Sequence, residues 1–408
     1  MTVPRRMNGL VAVVALILAA GPAVPAAAGE TELSGFLAGD LRVFPRAPAY
    51  QEQSGAVLVP SLAVQPELRR EWNAGDDRLT IIPFARLDAR DSERTHIDLR
   101  ELNWLHVGEG WDLRLGVDRV FWGVTESRHL VDIVNQTDLV EDLDGEDKLG
   151  QPMINLGLER AWGNLNVLVL PGFRERTFVG TKGRLRGTLP VATDRAVYES
   201  AAGRQRVDLA VRYTTVIGDW DIGLAQFRGT GREPRLVPGV DGSGAPVLVP
   251  HYDVIDQTGL DVQATLGDWL WKLEAIRRTG QGKAFAALVG GFEYTLYGVF
   301  DSSADVGLIV EYLYDGRGAG APPTAYDDDV FVGLRLALND SRDTEFLVGG
   351  VVDRDSFATI LSIEAKRRLN DRWTLELEGT SFIGMPASDS LFGIRKDSFL
   401  TLRLARYF

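Results

Sequence analysis

The stretch Trp111-Asp-Leu-Arg-Leu-Gly-Val-Asp118 decides the fold class of this chain. Every second residue is apolar, and each residue between two apolar ones is charged or glycine. Successive side chains of a β-strand point to opposite faces, so a two-residue period predicts a strand with one apolar and one polar face. The stretch follows Gly110, a turn residue, and is therefore one arm of a hairpin.

The same alternation returns along the whole chain from residue 31 to residue 408. Clear examples are residues 206–213, 260–266 and 373–378, whereas the 3.6-residue period of an amphipathic helix is almost absent. We therefore predict an all-β protein.

The connections between these runs are short at one end and often long at the other. Clusters of Gly, Asn or Asp form the short turns, which are 73–77, 107–110, 163–164, 218–219, 267–268, 298–303, 339–342 and 370–371. The longer connections are 45–55, 121–150, 173–203, 230–253, 315–327 and 384–397. This asymmetry is typical of a transmembrane barrel with periplasmic turns and extracellular loops.

The count of alternating runs is about 18, with 16 as the alternative, and both chain ends lie on the short-turn side. We predict a single transmembrane antiparallel up-and-down β-barrel over residues 29–408. Eight of the nine tryptophans lie near a short turn, as an aromatic girdle at the inner interface requires, and the exception is Trp122.

The last run also fits a barrel. Leu400, Leu402 and Leu404 alternate toward Phe408. Bacterial outer-membrane barrels commonly end in such a strand, and this resemblance implies recognition by the barrel-insertion machinery through Phe408. Arg406 departs from the apolar or aromatic residue that is usual at its position.

Composition narrows the compartment and the class of function. The 408 residues contain no Cys and carry a net charge of -13, which excludes a thiolate metal site and a polybasic nucleic-acid binder. Residues 1–28 have the basic start, apolar centre and small-residue end of a signal peptide. We expect cleavage after Ala28 and export to a secreted, periplasmic or outer-membrane destination, of which the barrel pattern favours the bacterial outer membrane.

Charged residues occupy the faces opposite the Leu, Val and Trp stripes. Packing so many charges dry would cost too much desolvation energy, so we expect a water-filled lumen. The arginines expected on the lumen wall are Arg86, Arg114, Arg206, Arg212, Arg335 and Arg403.

The segment 121–150 is the best candidate for a functional loop. It is long, lacks a strand pattern, carries eight acidic residues and counts as the third extracellular loop. The residues expected to form a constriction are Trp122, Glu126, Arg128, Asp132, Asn135, Asp138, Glu141 and Asp142. The other interpretation is a solvated surface lid.

This region resembles poorly characterised bacterial outer-membrane barrels of the porin type. The resemblance rests on Leu99-Arg-Glu-Leu, Leu113-Arg-Leu-Gly116, Trp122-Gly123 and the spacing of Asp132, Asn135 and Asp138, about 40 of the 408 residues. It implies a pore-forming or export-type barrel whose third loop folds inward and narrows the pore.

The expected function is passive diffusion of small hydrophilic solutes or ions with a weak preference for cations, because acids dominate the loop. The alternative is a substrate-selective or export channel for an anionic small molecule or polysaccharide. A barrel-embedded hydrolase using His96 with Asp98 is the third possibility. We expect no catalytic residue, no metal, no cofactor and no nucleic-acid partner. The expected partners are outer-membrane lipid and lipopolysaccharide, with a homotrimer as the candidate assembly.

Overall fold

The structure is a computed structural model that describes residues 29–408. The predicted signal peptide, residues 1–28, lies outside the described residues. Regular structure in the described part consists of strands and five 3-10 turns, which confirms the all-β prediction. None of its helices is long and apolar enough to cross a membrane.

The strands are numbered in chain order. They are β1 Gly29–Val43, β2 Leu58–Trp72, β3 Asp77–Asp88, β4 His96–Gly108, β5 Trp111–Asp118, β6 Gln151–Arg160, β7 Gly163–Pro171, β8 Val197–Tyr198, β9 Val207–Ile217, β10 Trp220–Thr230, β11 Arg235–Val240, β12 Pro246–Tyr252, β13 Val254–Leu266, β14 Trp269–Thr279, β15 Phe285–Leu296, β16 Asp305–Asp315, β17 Asp328–Ala337, β18 Glu345–Asp353, β19 Thr359–Asn370, β20 Trp373–Ile383 and β21 Phe399–Tyr407. The 3-10 turns are Asn73–Gly75, Thr193–Arg195, Gly203–Gln205, Val299–Asp301 and Phe392–Ile394.

Eighteen of these strands form one sheet in which each pairs antiparallel with its neighbours along the chain. The sheet closes because β1 pairs with β2 on one side, from Gly29 opposite Trp72, and with β21 on the other, from Phe36 opposite Tyr407. Closure leaves no free sheet edge, which is the condition for strands to cross a membrane. The predicted count of 18 strands is confirmed, and 16 is excluded.

Strand β21 shows which way the side chains point. Leu400, Leu402 and Leu404 are 40%, 43% and 39% exposed on the outer surface, whereas Thr401, which lies between the first two, and Ala405, which follows the third, are 6% and 0% exposed. The apolar stripe therefore faces outward and the smaller, more polar residues face the barrel interior.

Nine connections lie at the end of the barrel opposite the chain termini. Loop 3 spans residues 119–150, so its predicted place as the third outer loop is confirmed. Three connections, 89–95, 280–284 and 354–358, are short and were not among the predicted long loops. Loops 4 (172–206) and 5 (231–253) contain β8, β11 and β12, which pair into a small sheet that was not predicted.

The inner wall is divided into two sectors, which the sequence pattern did not indicate. One sector carries mainly charged side chains, whereas the other carries apolar side chains interspersed with a few buried acids such as Glu274 and Glu311. The apolar members are Met153, Leu168, Leu170, Ala210, Ala225, Phe227, Ile255, Ile276, Ala287, Val289, Ile309, Leu313, Phe331 and Val351. These residues occupy inner positions of their strands. Apolar side chains are stable there because loop 3 covers them inside the barrel.

Candidate functional site

Loop 3 lies inside the barrel and packs on the apolar sector. Its Leu130, Val131, Ile133 and Val134 are 0–5% exposed and belong to the same hydrophobic cluster as the wall. Burial of such a side chain contributes about 1.5–3 kcal/mol. Four of them in one loop fix its path along the wall.

Two glutamates of the wall hold the first half of loop 3. The Glu274 carboxylate of β14 accepts hydrogen bonds from the backbone N–H groups of Val124 (2.8 Å), Thr125 (3.1 Å) and Val131 (3.0 Å). The Glu311 carboxylate of β16 accepts those of Glu126 (2.7 Å) and Ser127 (2.8 Å). Backbone without secondary structure needs such partners when it is buried, and a carboxylate can accept several bonds.

Asn135 closes the base of the loop. Its amide nitrogen donates to the carbonyl oxygens of Asp118 and Leu149, both at 2.9 Å, and its oxygen accepts the N–H of Val120 at 2.9 Å. Asn135 is 2% exposed. One side chain thus joins the entry and the exit of the loop through three buried backbone groups.

The acids in the middle of loop 3 meet arginines of the charged sector. Asp138 accepts a hydrogen bond from Arg100 at 2.7 Å, and Glu141 lies 2.6 Å from Arg86. Arg86 also bonds to Asp40 of β1. Burial alone would raise the pKa of Asp138, but His96, Arg100 and the Thr177 hydroxyl hold it below its usual range.

Two further loop acids are also paired. The Asp142 carboxylate lies 3.1 Å from Arg42, and the Asp132 carboxylate lies 3.0 Å from Lys148 of the same loop. Burial raises the pKa of Asp132 despite this lysine. The charges of loop 3 and of the wall are therefore largely joined in direct ion pairs rather than separated across open water.

The first residues of loop 3 contact the wall through charged side chains and one aromatic ring. Glu126 accepts a bond from Arg335 at 2.7 Å, and Arg128 donates to Asp315 at 3.2 Å. The guanidinium of Arg212 lies 5.2 Å from the ring centre of Trp122, a cation–π distance.

The remaining predicted wall arginines pair with acids on or beside their own strands. Arg114 lies 2.5 Å from Asp118, and Arg403 lies 3.4 Å from Glu376. Arg206 precedes β9 at the outer rim, where it lies 3.2 Å from Asp208.

A water space of about 310 Å³ remains between loop 3 and the charged sector. Six arginines and six acids are among its lining residues, which therefore have no formal net charge. The arginines are Arg42, Arg86, Arg94, Arg100, Arg119 and Arg403, and the acids are Asp40, Glu141, Asp142, Asp147, Glu376 and Glu378.

Several acids near this space lack a basic partner. In the described part of the chain, no Lys, Arg or His nitrogen lies within 4.0 Å of the carboxylates of Asp144, Asp147, Glu364 or Glu378. The Asp144 side chain is exposed, but desolvation by the surrounding lumen wall and neighbouring Asp142 raise its pKa to about 8. Asp147 is exposed in the same way, and desolvation with Glu141 raises its pKa to about 6.

Comparisons with known proteins agree with this architecture. No protein-family model matches the chain, and no curated protein is similar to it in sequence. The structure is similar to that of OccAB3 from Acinetobacter baumannii, with a TM-score of 0.55, 9% identity and coverage of 94% of this chain and 100% of that chain. For OccK11 (OpdR) from Pseudomonas aeruginosa the TM-score is 0.51 at 10% identity, covering 93% and 96%.

The fold is that of a porin-type β-barrel. A mutant of Rh. blastica porin is also similar, with a TM-score of 0.43, 12% identity and coverage of 93% of this chain and 100% of that chain. At these identities the likeness is one of fold. The predicted resemblance to porin-type outer-membrane barrels is confirmed at that level.

The porin-type barrel brings together residues that the sequence analysis missed. Arg42, Arg94 and Arg119 line the water space but were not among the predicted wall arginines. Arg42 shares the inner face of β1 with Asp40, so the alternation could have identified it. Arg94 and Arg119 lie in loops, where no strand period exists to place them.

His96 is not coupled to Asp98. Its Nδ1 lies 3.1 Å from the Arg94 carbonyl oxygen and its Nε2 lies 3.6 Å from Asp138. Asp98 instead contacts Arg100 at 3.0 Å and Arg174 at 2.5 Å. The Asp/His couple considered for a barrel hydrolase is therefore not formed.

Two groups of side chains have the ligand types and spacing of a metal site. One is His96, Asp138 and Glu141, although arginines already bond to both of its acids. The other is Asp327, Asp329 and Asp353 at the outer end of β17 and β18.

Proposed function

We propose that this chain is a channel of the bacterial outer membrane through which small hydrophilic solutes and ions diffuse passively, with a weak preference for cations. The observation that carries the proposal is an 18-strand closed barrel whose third loop folds inward and leaves a charged water space beside it. A barrel of this strand number is wide enough for an aqueous passage, and the in-folded loop narrows it.

The cation preference follows from which charges remain unpaired. Wall arginines such as Arg86 and Arg100 are joined to loop acids, and an ion pair exerts little net field on a passing ion. Glu364 of the wall and Asp147 of loop 3 lack such partners, and Asp144 adds a further negative charge above about pH 8. A passing ion therefore meets an excess of negative groups.

The test is the reversal potential of purified protein in planar bilayers under a KCl gradient. At neutral pH we expect a reversal potential whose sign marks K⁺ as the more permeant ion. The variant Glu364→Gln should give a smaller potential. The matched control is Asp219→Asn in a periplasmic turn, which should leave the potential unchanged. A chloride-selective wild type would contradict the cation preference, and absence of conductance would contradict the channel.

A second candidate function is selective passage of an anionic solute, which the six arginines around the water space favour. Arg119 is 33% exposed and its single ion pair is with Glu101 at 3.0 Å, so it could exchange partners with a carboxylate or phosphate. Small organic acids should then block the KCl current, and Arg119→Gln should weaken the block. Absence of block by any anion would leave passive diffusion as the function.

The proposed partners outside the channel are outer-membrane lipid and lipopolysaccharide, the barrel-insertion machinery and two further copies in a trimer. Phe408 supports the role at insertion, because its side chain is 50% exposed while its backbone N–H donates to the Gly35 carbonyl at 3.1 Å. The ring is thus accessible beside the seam between β1 and β21.

A further inference from the structure

Three aspartates meet at the outer end of the barrel wall, away from the water space described above. Asp329 of β17 and Asp353 of β18 are directly paired across the two strands, and both occupy inner positions. Asp327 lies just before β17 in loop 7, residues 316–327. One carboxylate oxygen of each aspartate lies within 4.8 Å of those of the other two.

This arrangement is unfavourable without a cation. Like charges on directly opposed strand residues repel each other, and a buried carboxylate without a partner costs desolvation energy. Asp329 is 1% exposed, and its Oδ2 is buried with no hydrogen-bond partner. Among residues 29–408, no Lys, Arg or His nitrogen lies within 4.0 Å of the three carboxylates. Arg354, which follows Asp353 in the sequence, pairs with Asp328 instead.

The space beside these carboxylates has the size of one ion. A cavity of about 10 Å³ is lined by Asp329, Asp353 and Asp389, the last from loop 9 (residues 384–398), together with six apolar side chains. Asp327 does not line this cavity and approaches the other two carboxylates from beside it. A volume of about 10–15 Å³ holds one water-sized particle. Asp353 keeps its Oδ1 occupied with the backbone N–H groups of Asp355 and Ser356, which leaves its Oδ2 free to face the cavity.

We infer that Asp327, Asp329 and Asp353 bind one divalent cation, with Asp389 completing the site from loop 9. Oxygen ligands from two strands and two loops suit Ca²⁺, which accepts six to eight oxygens in irregular geometry, better than Mg²⁺, which demands a strict octahedron. The cation neutralises the cross-strand pair and ties loops 7 and 9 to the outer rim of the wall.

Calorimetric titration of CaCl₂ into EDTA-treated full barrel in detergent tests the site. We expect one Ca²⁺ per chain for the wild type and at least about tenfold weaker binding for Asp329→Asn, because a neutral amide replaces the buried carboxylate. The control Asp355→Asn changes the same charge two residues from Asp353 and should bind as the wild type does. Equal binding by Asp329→Asn, or absence of binding by the wild type, would overturn the inference.

Thermal unfolding gives a second readout that does not require the variant to bind. Without Ca²⁺, Asp329→Asn should be more stable than the wild type, because the like-charge pair is gone. With Ca²⁺ the wild type should gain stability and the variant should not, so that their order reverses. If Ca²⁺ leaves the wild type unchanged, the two aspartates share a proton instead of a metal ion.

Discussion

Individual acids of loop 3 should make ion selectivity depend on pH. The pKa of Asp147 is raised to about 6 and that of Asp144 to about 8, each by desolvation within the lumen first and by a neighbouring acid second. Both groups are neutral below these values and negative above them. Raising the pH therefore adds negative charge beside the passage, and cation preference should increase.

The measurement is the reversal potential in a KCl gradient between about pH 5 and about pH 9. A unit charge about 8 Å from an ion in water contributes about 0.5 kcal/mol, which is roughly a twofold change in relative permeability per group. The double variant Asp144→Asn with Asp147→Asn should show a flatter profile over this range than the wild type does. A wild-type preference that falls as pH rises would contradict the assignment.

At the level of single residues, the sequence predicted the face of the strand on which a side chain lies. It did not predict the residue with which that side chain pairs. Arg86 was expected on the inner wall from its place in an alternating run, and the structure pairs it with Asp40 and Glu141. A strand period is local, so it gives the face on which a side chain lies. It contains no information on which loop residue will lie opposite, because Glu141 is 55 residues away in the sequence.

Among the elements, loop 3 offers the sharpest test of an in-folded segment against a surface lid. A Cβ built on Gly259 of β13 would lie 3.5 Å from the Cβ of Val131 in loop 3, within the spacing of about 3.5–4.5 Å that a disulfide requires. The native chain has no Cys. The double variant Val131→Cys with Gly259→Cys should therefore form this disulfide without competition.

Mass spectrometry of the oxidised protein should show the loss of two hydrogens, and single-channel conductance should stay the same after reduction, because the bond only fixes the native contact. The control pair Val131→Cys with Gly350→Cys should not form a disulfide, since the space beside Gly350 is bounded by β19 and not by loop 3. A reduced double variant, or a conductance that changes several-fold on reduction, would favour the surface lid.

The elements also show where prediction from sequence ends. The strands were predictable because alternation and Gly- or Asp-rich turns depend only on neighbouring residues. An example is the turn that joins β9 and β10 at Gly218, whose φ of 61° is favourable for glycine. The path of loop 3 was not, because Val131 bonds to Glu274 from 143 residues away and Glu126 bonds to Glu311 from 185 residues away. Both glutamates lie on the inner faces of their strands, but nothing in the neighbouring sequence marks them as anchors for the loop.

For the molecule as a whole, the important feature is the division of the lumen. Loop 3 and the apolar sector form a dry half, because Val289 and Ala287 beneath it are each 1% exposed. The charged sector, with Gln65 at its edge, keeps the water space. We propose that the route for solutes is off the barrel axis, against β1–β4, β20 and β21.

Single cysteines test this division, because the chain has none of its own. With Gln65→Cys we expect a cationic methanethiosulfonate reagent to react and to reduce the single-channel current in steps, since the thiol lies beside the passage. With Val289→Cys we expect neither reaction nor current change, because loop 3 covers that position. The wild type controls for direct effects of the reagent. Reaction at Val289→Cys in the folded barrel would mean that the apolar sector is open to water and that loop 3 does not cover it in the membrane.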